Sequence, residues 1–207
     1  MLRIVLFVVA ALVAALGLFL ASGGVTTLKR WAYEEPGRDG WQQPERVVES
    51  LGLAAGDRVA DVGAGGGYFS FRFAAAVGDE GRVFAADLDR GLLDYVAKEA
   101  EKRGYANIRT VLAAPDDPRL PEPVDLLFTC NTAHHFADRV VWFRGVRRYL
   151  APGGRLAVVD YFDMHGSAPP EQLEAELVEA GYRVVERPDF LSRQYFLIAE
   201  PDSTSGT

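Results

Sequence analysis

The chain has a single cysteine, Cys130, among its 207 residues. That excludes an internal disulfide framework and a cysteine-rich metal site. Histidine is scarce as well: His134, His135 and His165 are the three present, and none stands in an HExxH or comparable ligand spacing. No metal is therefore expected. There is no clustered lysine and arginine stripe, and the net charge is -7. Phosphate contacts need cations, so nucleic acid is not an expected partner. Internal repeats and low-complexity segments are absent too.

What is there is ordinary for a folded protein: 49% hydrophobic and 25% charged residues. The length suits one globular domain with some extra sequence. The N-terminus stands apart. From Ile4 to Ala21 the chain is apolar residues and glycine only, with Arg3 before it and Lys29 and Arg30 after it. An uncharged run of roughly 18 residues is at the lower limit for a membrane-spanning helix. It exceeds the usual signal-peptide core of about 7–15 residues, which favours a retained signal anchor. A cleaved signal peptide, with Ala21-Ser22-Gly23 as its small-residue site, is the competing expectation. A buried core helix fits less well, since such helices are usually amphipathic.

Residues 29–50 read as a polar lid or linker with three aromatics, Trp31, Tyr33 and Trp41, and a short helix from Glu45 to Leu51. From Arg58 onward, strands and helices alternate. Strands are expected at Arg58–Val62, Arg82–Ala86, Ile108–Leu112, Val124–Thr129 and Arg155–Asp160, the last after a tight Pro152-Gly153-Gly154 turn. Helices are expected at Tyr68–Val77, Leu92–Arg103, Arg139–Leu150 and Pro170–Ala180. Two final strands, Tyr182–Glu186 and Tyr195–Ala199, have no helix between them and should pair antiparallel. Residues 201–207 read as a disordered tail. This alternation predicts an α/β fold with a doubly wound, mostly parallel seven-stranded sheet over residues 51–200, behind an N-terminal hydrophobic helix in residues 1–28.

The strand Arg58–Val62 runs into Gly63-Ala64-Gly65-Gly66-Gly67 and then a helix. Glycines there allow a sharp turn and close approach of a ligand, and the helix amides that follow could face an anion. Such a turn also fits a nicotinamide dinucleotide site or a purely structural bend. Three features narrow the choice. Asp61 sits just before the glycines, where it would repel a pyrophosphate and attract an ammonium group. The spacing is Gly-x-Gly-x-Gly, where the dinucleotide fingerprint is Gly-x-Gly-x-x-Gly. Asp87 ends the second strand, where a carboxylate can accept from both hydroxyls of a ribose.

Val-Ala-Asp-Val-Gly-Ala-Gly-Gly-Gly-Tyr-Phe-Ser, followed by Val-Phe-Ala-Ala-Asp-Leu-Asp, resembles the first two motifs of class I S-adenosylmethionine-dependent methyltransferases. Val124-Asp125-Leu126-Leu127-Phe128 is similar to the family's fourth strand, and Leu150-Ala151-Pro152-Gly153-Gly154-Arg155-Leu156 to the turn before its fifth. The resemblance covers roughly residues 45–199 and leans toward small-molecule enzymes of the quinone-biosynthesis type. It implies S-adenosylmethionine as cofactor. Asp61, Gly63, Ala64, Gly65 and Gly67 would form the turn that lines its methionine half. Asp87 would bind the ribose, Leu88 would lie against the adenine, Ala113 to Asp117 would flank that ring, and Asn131 would sit near the methyl group. One departure stands out. Many members carry an acidic residue and then a free backbone N–H at the adenine edge. Here those positions are Ala114 and Pro115, and proline has no N–H. Asp116 can stand in after a small shift; the alternative is that Pro115-Asp116-Asp117-Pro118 is only a loop with a helix cap.

Methyl transfer from a sulfonium is an in-line displacement that chiefly requires alignment, with a base where the acceptor is a hydroxyl or an acidic carbon. His134 and His135 follow the fourth strand, at the edge where ligands bind in such sheets, and are the candidate bases. The competing expectation is that one points into the core and caps a backbone carbonyl while the other packs against the cofactor pocket. Tyr161, Phe162, Asp163, His165 and the three N-terminal aromatics are candidates for an acceptor pocket. Cys130 reads as a small buried hydrophobe. No Asn-Pro-Pro-Tyr follows the fourth strand, which disfavours amino-group methylation of nucleobases or glutamine. A small-molecule acceptor is expected, and the apolar N-terminus is compatible with a lipid-soluble one. Two other function classes stay open: a nicotinamide-dependent oxidoreductase and a non-catalytic, membrane-anchored cofactor-binding or scaffold protein. Because S-adenosylmethionine is cytosolic and Lys29, Arg30 and Arg38 outnumber Arg3, the expected topology is a membrane anchor with the domain facing the cytoplasm. Export after cleavage is the alternative. Nothing in the sequence fixes an oligomeric state.

Overall fold

The computed structural model describes residues 36–202. The N-terminal apolar segment, Trp31, Tyr33 and residues 203–207 lie outside the described residues. Among the described residues, no helix is long and apolar enough to cross a membrane.

Seven strands form one sheet: β1 (Arg58–Val62), β2 (Arg82–Asp87), β3 (Ile108–Leu112), β4 (Val124–Cys130), β5 (Leu150–Tyr161), β6 (Tyr182–Glu186) and β7 (Gln194–Pro201). Their spatial order is β3-β2-β1-β4-β5-β7-β6. The first five are parallel, while β7 pairs antiparallel with both β5 and β6. Among the described residues, five longer helices accompany them: α2 (Pro44–Ser50), α3 (Ser70–Val77), α4 (Arg90–Arg103), α5 (Arg139–Val146) and α6 (Pro170–Glu179); a five-residue helix, α1 (Arg38–Gln42), precedes them.

The apolar pattern sets the layers. Neighbouring residues of a strand point to opposite faces, so β1 sends Val59 one way and Ala60 and Val62 the other. On one face Val47 of α2, its C-cap Leu51, and Phe69, Phe73 and Val77 from around α3 pack on Phe128 and Phe196, and Val96 and Ala100 of α4 pack on Ala85 beside them. On the other face Trp142, Phe143 and Val146 of α5 join Leu173 and Leu177 of α6 over Leu127, Leu156 and Val158. Both faces are thus covered, as parallel strands require. Asp89 caps α4, accepting from the amides of Gly91 and Leu92, and Asp138 caps α5 through Val141.

The structure corrects several boundaries. The helix expected from Tyr68 begins at Ser70, because Tyr68 and Phe69 complete the glycine-rich turn. The helix expected over Arg139–Leu150 ends at Val146; a 3-10 turn, Arg147–Tyr149, follows, and Leu150 already belongs to β5. The turn expected at Pro152-Gly153-Gly154 is a bulge inside β5: Val124 faces Leu150, and the next registered pair is Leu126 with Arg155. Glycine is needed there, since a Cβ on Gly154 would come within 2.8 Å of the Val124 carbonyl. The stretch expected as a lid or linker forms α1 and α2, broken at Gln43, and supplies Val47 to the core, and Pro201 is the last residue of β7.

Phe128 of β4 is fully buried and holds ring contacts with Phe69 and Phe73 at centroid distances of 4.8 and 5.0 Å. Truncating it leaves a cavity in the centre of the sheet. Phe128→Ala should therefore lower the unfolding free energy by about 3–5 kcal/mol in a urea titration; a loss below about 1 kcal/mol would contradict this packing.

Candidate functional site

The carboxyl edges of β1 and β2 meet at the glycine-rich turn. The Ala86 carbonyl accepts from the amides of both Gly63 (2.8 Å) and Ala64 (3.1 Å). Asp87 Oδ2 accepts from Gly65 N at 2.8 Å, and its Oδ1 from Asp89 N at 2.9 Å. Gly67 N donates to the Ala64 carbonyl at 2.9 Å. Gly63, Gly65 and Gly67 all have positive φ, which only glycine adopts at little cost. Gly63 is also tight against β4's extension: a Cβ there would sit 2.1 Å from Thr132 Oγ1. The amides of Gly63, Ala64, Gly65 and Gly67 are spent within the protein, so little of the turn is left to cradle a pyrophosphate. Ala64 itself packs inward against Phe71 and Val96.

Asp61 lies beneath this turn, 3% exposed, with Oδ2 accepting from Ser70 Oγ at 2.6 Å. Burial pushes its carboxyl up to about 6, against the pull of the Ser70 hydrogen bond; nearby Asp87 pushes the same way and Arg38 opposes it. A buried carboxylate this costly is one that a cation would stabilise. Leu88, next to Asp87, is 59% exposed, an apolar side chain that faces largely into solvent. On the far side, Ala114 and Asp117 form an isolated antiparallel bridge through their own amides and carbonyls. Asp117 is turned away, bound by Tyr149 Oη (2.7 Å) and Arg148 Nη2 (2.9 Å). Pro115 and Asp116 are the exposed tip, and only Asp116 there offers both an amide and a carboxylate.

Past β4, Asn131 takes a left-handed backbone (φ 55), and its Nδ2 donates to Tyr161 Oη at 3.1 Å. Its Oδ1 accepts from Gln194, whose own Oε1 accepts from Gln42 of α1. This buried amide chain ties α1, β4 and β7 together. Cys130 lies within it, buried, its thiol pushed up to about 12 by burial. It is packing, as expected. The 3-10 turn Ala133–His135 follows. It buries the His134 side chain and leaves His135 exposed, the two rings 4.1 Å apart. Desolvation and the neighbouring His134 hold the His135 ring below its ordinary value. Trp41 lies 6.1 Å from the Tyr161 ring, at the same edge. Phe162 and Met164 are exposed beyond it, and Asp163 and His165 are on the surface of the same loop. Sequence reasoning missed Ser70, Thr132, Gln42, Gln194 and Asp160. Asp160 had a signal, its place at the end of a central strand; the amides had none, because their partners are distant in sequence. Among the described residues, no cluster of His, Cys, Asp and Glu could hold a metal.

A β3-β2-β1-β4-β5-β7-β6 sheet, with a glycine turn after β1 and a carboxylate ending β2, defines the class I methyltransferase fold. Residues 59–154 match the family model described as a methyltransferase domain. A ubiquinone/menaquinone biosynthesis C-methyltransferase of Cellvibrio japonicus is 32% identical over 123 residues, 58% of this chain and 49% of that protein. The 27-O-demethylrifamycin SV methyltransferase of Amycolatopsis mediterranei is 31% identical over 144 residues, 68% and 52% of the two chains. The chain thus spans about half the length of these curated relatives. A solved S-adenosylmethionine-dependent methyltransferase from Aquifex aeolicus superimposes with a TM-score of 0.73 at 25% identity, covering 83% of this chain and 96% of that one. Residues 59–154 match a methyltransferase domain within a sheet of the class I fold, and S-adenosylmethionine is the cofactor these likenesses imply. They give no support to a nicotinamide-dependent oxidoreductase or to a non-catalytic scaffold.

The buried Asp61 has a consequence for stability. Its folded carboxyl, near 6, lies above the unfolded reference of about 3.9. The folded protein therefore keeps a proton that the unfolded chain has lost between about pH 4 and 6. Stability falls as pH rises through that window and then levels off. Asp61→Asn keeps an acceptor for Ser70 and removes the buried charge. Without ligand, it should raise the melting temperature by a few degrees at pH 7.5 and by nothing near pH 4. An equal effect at both pH values would contradict the assigned cause.

Proposed function

We propose that this protein transfers a methyl group from S-adenosylmethionine to a small acceptor held at the carboxyl edge of β4 and β5. One observation carries this reading: a buried carboxylate, Asp61, and a strand-end carboxylate, Asp87, flank one glycine turn beside the exposed Leu88. That set suits a ligand with an ammonium end, a ribose and an apolar ring, in that order along the edge. Asp61 stabilises the ammonium, with Gly63 and Gly65 close to the methionine half. Each Asp87 oxygen accepts one amide and keeps a lone pair for a ribose hydroxyl. Leu88 covers one face of the adenine. At its edge, Asp116 replaces the pair missing at Ala114 and Pro115: its carboxylate accepts from the exocyclic amine and its amide donates to a ring nitrogen. Asn131, held by Tyr161 and Gln194, stands beside the methyl group. When bound, the cofactor supplies an activated methyl on a sulfonium centre. The protein's task is then alignment and exclusion of water.

The acceptor lies against Tyr161, Trp41, Phe162 and Met164, a surface rich in aromatic and apolar groups. Its character and the names of the ubiquinone/menaquinone relatives favour a quinone-like small molecule over a macromolecule. The acidic net charge agrees, disfavouring nucleic acid. The apolar N-terminal run fits a membrane anchor with the domain in the cytoplasm, where a lipid-soluble acceptor is reached from the bilayer surface. Protease added to intact cells should leave the domain undigested; its digestion would refute that topology.

Calorimetry tests the cofactor. S-adenosylhomocysteine should bind and NAD should not, and Asp87→Asn should weaken binding by about 10-fold or more. Preference for NAD would overturn the proposal. Small quinols, phenols and amines, screened for S-adenosylhomocysteine release, would then define the acceptor.

A further inference from the structure

Asp160 is the last but one residue of β5, 1% exposed, and three donors converge on its carboxylate. Oδ2 accepts from the His134 amide at 3.0 Å, and Oδ1 lies 2.8 Å from His134 Nδ1 and accepts from Tyr161 N at 2.9 Å. The His134 side chain is 4% exposed, and its Nε2 has no hydrogen-bond partner among the described residues. A carboxylate only accepts, so the 2.8 Å contact fixes the proton on Nδ1 and leaves the Nε2 lone pair unused. The turn that carries the ring is anchored on the ligand edge. Thr132, two residues earlier, presses on Gly63, and Gly166 closes over the His134 carbonyl. His135 makes no hydrogen bond to a carboxylate and faces solvent, and desolvation and His134 hold its ring below the ordinary value.

We propose that Asp160 is a positioning residue that holds His134 as the base of the reaction, and that the acceptor is therefore protic, a hydroxyl or an acidic carbon. This rests on the methyltransferase reading above and narrows its acceptor. An amine attacks with its own lone pair and needs no such base. A hydroxyl or carbon acid gains nucleophilicity only as its proton leaves. In the step assigned to His134, the acceptor's O–H or C–H bond breaks and its electron pair stays on the acceptor. The proton bonds to Nε2 and then passes to water. One proton is released for each methyl transferred, matching the charge lost at sulfur. The Asp160 carboxylate offsets the cation formed on the ring. The other charged or titratable groups around the pair are His135 beside it, Tyr161 with its ring 6.4 Å away, and Arg139, Tyr195 and Cys130, each of which senses the Asp160 charge.

The test uses the full chain. Ring 15N spectra without cofactor should show His134 protonated on Nδ1 and bare on Nε2 at pH 8; the reverse tautomer would overturn the proposal. Asp160→Asn should lose that signature and lower kcat by about 10-fold or more with KM little changed, its rising limb of kcat against pH displaced. Asp160→Glu should restore part of both. His134→Gln should lower turnover of hydroxyl or carbon acceptors by about 100-fold or more while S-adenosylhomocysteine binds as in wild type. Unchanged turnover in His134→Gln, or S-adenosylhomocysteine release with amines alone, would overturn the proposal and leave the methyltransferase reading standing. Loss of S-adenosylhomocysteine binding in the wild type would instead remove that reading itself.

Discussion

The end of β2 holds the rest of the site in place. The Ala86 carbonyl and the Asp87 carboxylate together take the amides of Gly63, Ala64 and Gly65. The glycine turn is therefore not a loose loop awaiting an anion; it is bonded to the neighbouring strand. Two constraints follow. Positive φ is forced at Gly63, Gly65 and Gly67, so the residues must be glycine. The helix α3 must start late, at Ser70, which brings its hydroxyl onto Asp61. The burial of Asp61 is a by-product of that closure, and it leaves a carboxylate whose ionised form the fold disfavours.

The same closure sets up the second half of the edge. Thr132 packs against Gly63, which places the chain after β4 beside the turn. From there the Asn131 side chain runs to Tyr161 and Gln194, and the His134 ring runs to Asp160. Strands β1, β2, β4 and β5 thus each bring a side chain or turn to one edge, the general advantage of a parallel sheet whose strands end together. Helix α1 joins them through Gln42 and sets Trp41 beside Tyr161.

Much of this was legible in the sequence. The strand limits Arg58–Val62 and Ile108–Leu112 were readable because short stretches rich in β-branched and apolar residues follow soon after the glycines Gly56 and Gly104. Asp61 and Asp87 were readable because strand ends are fixed by the glycines and acids that stop them. The boundaries that failed have physical reasons. Tyr68 and Phe69 are as apolar as a helix face, yet the turn needs them. Pro152-Gly153-Gly154 looks like any tight turn, and only the pairing with β4 makes it a bulge. In the site, the sequence pointed to two histidines without ranking them. Burial and the Asp160 contact rank them, and both depend on a residue 26 positions away. Likewise, Gln42 and Gln194 are 152 residues apart and carry no local pattern.

The central claim is that the edge around Asp61 is built to neutralise a buried carboxylate with the ammonium of a nucleoside-linked amino acid. Proton release on ligand binding measures this directly. S-adenosylhomocysteine can be titrated at pH 6 in buffers of different ionisation enthalpy. With the Asp61 carboxyl near 6, binding should expel about half a proton in the wild type and almost none in Asp61→Asn. Binding with no proton released from the wild type, or with the same release from the variant, would contradict the account.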